Sequence, residues 1–79
     1  MSMGRNKTYA LRSALHQVEM LIPKMDRSKQ AEKERDLLSE ACVALWDGKV
    51  NKLFGCLRRL AQAPERGANY LQVLPMLNM

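Results

Sequence analysis

The stretch KQAEKERDLLSEACVALWDGKVNKLFGCLRRLAQAP, residues 29–64, decides the fold class. Its first half carries Ala31, Leu38, Cys42 and Leu45, spaced 7, 4 and 3, with Leu37 and Ala41 beside them. Its second half carries Val50, Leu53, Leu57 and Leu60, spaced 3, 4 and 3, with Phe54 and Ala61 alongside. Steps of three and four place side chains on one face of an α-helix. Between the halves stands Asp47-Gly48. Glycine at this place is suited to the left-handed residue that closes a helix. A β-hairpin turn is the other use of Asp-Gly, but neither flank alternates with period two. Two helices are therefore expected. One starts at a cap, Asp26 or Ser28, and runs to about Trp46; the other runs from about Lys49 or Val50 to Gln62, with Pro64 as the stop. A tight turn between two long stripes favours an antiparallel hairpin. A helix-turn-helix reading would aim Asn51 and Lys52 at base edges, but a two-residue break is short for that motif.

Towards the N-terminus, Leu11, Leu15, Val18, Ile22 and Met25 step by 4, 3, 4 and 3, widened by Ala14 and Leu21. This predicts a first helix from Thr8 that ends or kinks near Pro23. Residues 1–7 are expected as a flexible lead-in and 8–64 as the bundle domain. Residues 65–79 are apolar and interrupted by Pro75. They are expected as a short helix from about Arg66 to Leu74 or as an arm, docked on the bundle or on a second copy. The predicted fold is all-α, a small antiparallel hairpin or bundle of three to four helices. Ala31, Ala41, Ala44 and Gly55 offer close approach between helices.

A chain of 79 residues buries only about 60% of its unfolded surface, so one copy alone is marginal. A homodimer is expected. Its candidate interface, or that with another partner, is Leu11, Leu15, Val18, Ile22, Tyr70, Leu71, Leu74 and Leu77.

Catalytic parts are scarce. His16 is the single histidine, with Glu19 three residues on, and a general base needs a pocket and usually an orienting partner. Cys42, in the apolar stripe, and Cys56, at the edge of the third helix, read as small buried hydrophobes. With His16 they make at most three zinc ligands, without metal-type spacing. Glu32, Asp36 and Glu40 share a helix face that reads as solvated, as does the whole charge run from Lys29 to Asp36. No glycine-rich phosphate loop is present. The expectation is no catalytic, metal or cofactor site, and no small-molecule substrate. No apolar run reaches membrane length, and Met1–Lys7 leads into no signal core. With two cysteines expected to stay reduced, a cytoplasmic location and no membrane partner are expected.

The charge map is more informative. The net charge is +5, and it is uneven. Lys49, Lys52, Arg58 and Arg59 fall on the third helix with no carboxylate between them, and Arg5, Lys7 and Arg12 crowd the start. A cationic stripe on a rigid element is what a reader of phosphate backbones requires. These seven residues are the candidate nucleic-acid contacts. No aromatic side chain interleaves the charges of the third helix, which favours a duplex over single strands.

Arg35-Asp36-Leu37, Ala41-Cys42 and the later Pro64 with Tyr70-Leu71 loosely resemble, in their order, residues of the small helical RNA-silencing suppressors of insect nodaviruses. The resemblance implies an antiparallel helical hairpin that dimerises and binds double-stranded RNA along one face. The spacings differ, and Gly55 falls where that family places a basic contact, so no site residue is carried over.

The leading functional expectation is a non-enzymatic regulatory or adaptor protein that binds a macromolecular partner through helix faces. The alternative is a binder of duplex RNA or DNA that contacts phosphates. A protein partner held by the tail requires Leu74 and Leu77 to be exposed.

Overall fold

The computed structural model describes residues 5–78, and every regular element among them is helical. Met1–Gly4 of the expected lead-in, and Met79 of the tail, lie outside the described residues. Four α-helices follow one another: α1 (Arg5–Glu19), α2 (Lys29–Trp46), α3 (Val50–Leu60) and α4 (Gly67–Leu71). A 3-10 helix, Leu74–Asn78, ends the chain. The Cα radius of gyration is 11.9 Å, against about 11.6 Å for a packed chain of this length.

The α2–α3 unit follows the sequence closely. Ser28 caps α2, its Oγ accepting from the Ala31 amide at 3.2 Å. Asp26 braces the cap by accepting from the Ser28 amide at 2.9 Å. At the other end Gly48 takes φ +72°. Its amide donates to the Leu45 carbonyl at 3.2 Å, and the Lys49 amide donates to the Ala44 carbonyl at 2.9 Å. This is a Schellman closure, which satisfies two otherwise orphaned carbonyls. The third helix ends at Leu60, four residues before Pro64.

Other expectations need correction. The first helix starts at Arg5, not Thr8, so Arg5–Lys7 are helical rather than a loose lead-in. Lys7 is held to the tail, its Nζ donating to the Leu77 carbonyl at 2.6 Å. The helix ends at Glu19, before Pro23. Ile22 still reaches the core, but Met25 falls beyond the helix and is 88% exposed. Gly55 gives no close approach: a Cβ there would meet open space. Gly67 is the close contact instead, because a Cβ there would strike the Ala61 carbonyl.

The tail is part of the core. Tyr70, Val73 and Leu77 are buried with Leu11, Leu15, Leu53 and Leu57. Leu74 is half-buried and Leu71 is exposed. The chain therefore covers its own stripe: Leu11, Leu15, Val18, Ile22, Tyr70 and Leu77 lie inside one copy and present no surface to a partner. The physical reason is that α1 packs on α2 and α4, while α3 packs on α2, α4 and the 3-10 helix.

A buried ion pair locks the tail down. Glu34, expected on a solvated face, is 1% exposed. Arg66 donates to it through Nε at 2.8 Å and Nη2 at 2.6 Å, and the Tyr70 hydroxyl donates at 3.1 Å. Burial pushes the Glu34 carboxyl up, but the bonds from Arg66 and Tyr70 and the guanidinium charge outweigh it. The net position is below the usual value. Burial, and then the charge of Glu34, push the Tyr70 hydroxyl far up, so it stays a donor.

Candidate nucleic-acid interface

Helix α3 sets the site. Its buried residues are Leu53, Cys56, Leu57 and Leu60. Cys56, expected at the edge, faces in, and Phe54, expected in the apolar cluster, faces out at 40% exposure. The helix is thus rolled relative to the sequence stripe, in the direction that swings Lys52 and Arg59 towards α2 and leaves Asn51 and Gly55 outermost. At the α2–α3 seam it is Cys56 that packs inward, its sulfur 3.9 Å from the Glu40 carboxylate on α2.

Lys49, Lys52, Arg58 and Arg59 are all exposed. None forms an ion pair among the described residues. The cations that the fold uses are elsewhere: Arg35 with Glu32 at 2.8 Å, Arg27 with Glu32 at 3.8 Å, and Arg66 with Glu34 and Glu65. Arg35 also donates to the carbonyls of Pro23 and Asp26, which ties the α1–α2 turn. Arg58 lies over the exposed Phe54 ring at 5.8 Å, so an aromatic side chain does sit among the α3 charges, contrary to the sequence reading.

The roll brings in cations that the sequence reading passed over. Arg59 and Lys33 line two adjoining depressions along the α2–α3 seam, and Lys29 and Arg27 line one of them. Lys29 and Lys33 are one turn apart on α2, so their shared face was a signal available in the sequence. Glu32, Asp36 and Glu40 edge the same depression from the α2 side.

The three α1 cations do not extend this row uniformly. Arg5 is exposed. Lys7 is tied to the tail. Arg12 lies over the Trp46 ring, 5.3 Å from its centroid. Around that stack Tyr9, Val43 and Trp46 are more than half exposed, an aromatic patch that the sequence reading missed.

The thiols are free: Cys42 half-buried, Cys56 buried. Burial raises the Cys56 thiol, and Glu40, 3.9 Å from its sulfur, raises it further. Burial likewise raises Cys42, with Glu19 adding to it. Both are held away from thiolate, the nucleophilic form. Among the described residues no three His, Cys, Asp or Glu side chains group to hold a metal ion, and no helix is long and apolar enough to cross a membrane. No family model, curated protein or solved structure matches the chain.

Proposed function

We propose that this chain is a non-enzymatic binding protein whose partner is a nucleic-acid duplex. The duplex is gripped through its phosphates by α3 and the start of α2. One observation carries the reading: the α3 cations are exposed and form no ion pair among the described residues, Arg58 resting only on the Phe54 ring, whereas Arg35 and Arg66 are bonded into the fold. Lys49, Lys52, Arg58 and Arg59 stand on 11 residues of helix and its cap, a rigid row of about 16 Å. Lys33 and Lys29 broaden it across the seam. The carboxylates Asp36 and Glu40 line the same depression and limit how far along α2 the phosphate path can extend. Antiparallel packing of α2 against α3, favoured by the tight Gly48 closure, belongs to the same reading. So does a cytoplasmic location, favoured by two free thiols.

The test is charge reversal. Lys52→Glu with Arg59→Glu leaves the fold intact, because both side chains are exposed, and its circular dichroism matches the parent. Binding to a labelled RNA or DNA duplex at low salt falls by more than tenfold. Equal binding by parent and variant removes the reading.

A second reading, an adaptor that docks a helix face onto a second copy, is favoured by a different feature. A neutral groove between α1 and α4 is lined by Gln17, Leu21, Gln72, Val73 and Met76, with Leu21 53% exposed. Leu21→Glu then converts a dimer to a monomer in light scattering. A monomeric parent excludes it.

A further inference from the structure

Trp46 ends α2, and the Schellman turn that follows leads within three residues to Lys49, the first cation of the α3 row. The residue is 56% exposed and has Arg12 over its ring at 5.3 Å. Tyr9, one turn before Arg12 on α1, is 57% exposed, and Val43, one turn before Trp46 on α2, is 54% exposed. An indole has two faces. With the guanidinium over one and more than half of the residue in solvent, the ring keeps surface that a flat partner can reach.

We propose that Trp46, propped by Arg12, is a stacking platform for an exposed nucleobase, set at one end of the phosphate-binding row. The inference rests on the duplex reading above and deepens it by naming what lies at the end of the row. Three features select a base over an apolar protein surface. The platform is a ring with a cation already stacked on it, the arrangement that nucleic-acid stacking sites combine. Two cations accompany it, Arg12 over its ring and Lys49 three residues on after the turn, to meet the phosphates next to a stacked base. The α3 cations begin three residues after it in the chain, so one ligand can engage both. Bases inside a duplex offer no free face. The ligand is therefore the outer face of a terminal pair or an unpaired base beside the duplex.

Trp46 is the only tryptophan, so its fluorescence reports the platform directly. The experiment titrates the full chain with a blunt-ended duplex, and with the same duplex carrying a short overhang. Labelled-duplex anisotropy and indole fluorescence are read together. Binding is expected to quench the indole. Trp46→Ala should weaken binding roughly tenfold, the scale of losing one stacked base, and leave the salt dependence unchanged. Trp46→Phe should restore most of the loss. Equal quenching by both duplexes assigns the terminal pair, and quenching by the overhang alone assigns an unpaired base. Salt-sensitive binding with an unquenched indole and unchanged Trp46→Ala affinity overturns the platform while sparing the duplex reading. No binding by the parent overturns both. A change in copy number on Trp46→Ala, read by light scattering, makes the patch a contact between copies and also overturns the proposal.

Discussion

Arg66→Met breaks the buried ion pair between Arg66 and Glu34 without removing the carboxylate. Glu34 is then left 1% exposed, with Tyr70 at 3.1 Å and Gln30 at 3.5 Å as its remaining donors. Removing one partner of a buried pair costs about 3–5 kcal/mol, because the other charge stays uncompensated. Whole domains are stable by about 0.05–0.15 kcal/mol per residue, which for this length is about 4–12 kcal/mol. The variant therefore loses a large part of its stability, and the tail bearing Tyr70, Val73 and Leu77 loosens with it. Replacing both partners, Glu34→Leu with Arg66→Met, removes the buried charge altogether and is expected to come out near the parent or above it. The assay is urea unfolding of the parent, both single variants and the double, followed by circular dichroism and the Trp46 signal. The refuting results are an Arg66→Met loss under about 1 kcal/mol, the range of an exposed pair, or single losses that simply add in the double.

Three further outcomes are expected. The Glu34 carboxyl lies below its ordinary 4.5 in the folded chain, so the folded state binds fewer protons. Its contribution is complete above that value and is lost as pH falls through the lowered folded value; the urea midpoint should hold from pH 7 to pH 5 and drop in more acid solution. Gly67→Ala drives a methyl into the Ala61 carbonyl and should cost about 1–3 kcal/mol by calorimetry, as overpacking does, whereas Gly55→Ala, in open space, should stabilise α3 by up to about 1 kcal/mol. Leu77→Ala empties a buried tail site and should cost about 2–5 kcal/mol, while Leu71→Ala at an exposed site changes the melting temperature little.

The α2–α3 unit was legible because its signals are local. A cap at Ser28, two stripes of three and four, a glycine at residue 48 and a proline at residue 64 act within a few residues of where they stand. What was missed depends on partners distant in the chain. Glu34 looks solvated beside Lys33 and Arg35; it is buried because Arg66 and Tyr70 return to it from 32 and 36 residues away. The roll of α3 was hidden for a related reason. Phe54 is the more hydrophobic residue, but the α2 seam accepts Cys56. That roll moved Arg59 beside Lys33, so the candidate face spans two helices where the sequence placed it on one. Whether the tail docks on its own bundle or on a second copy was not legible, because nothing local says that α1 and α3 leave a place for it.

The measurement closest to the central claim is the salt dependence of duplex binding by the unmodified chain. Four phosphate contacts, one for each of Lys49, Lys52, Arg58 and Arg59, give a slope of about −3.6 in log affinity against log salt on duplex DNA. That corresponds to a loss of roughly 100-fold between 50 and 200 mM salt, and Lys52→Ala should flatten the slope by about one unit. Affinity that is flat across this range, or no binding at the low-salt end, contradicts the account and makes the α3 cations a solvated surface only.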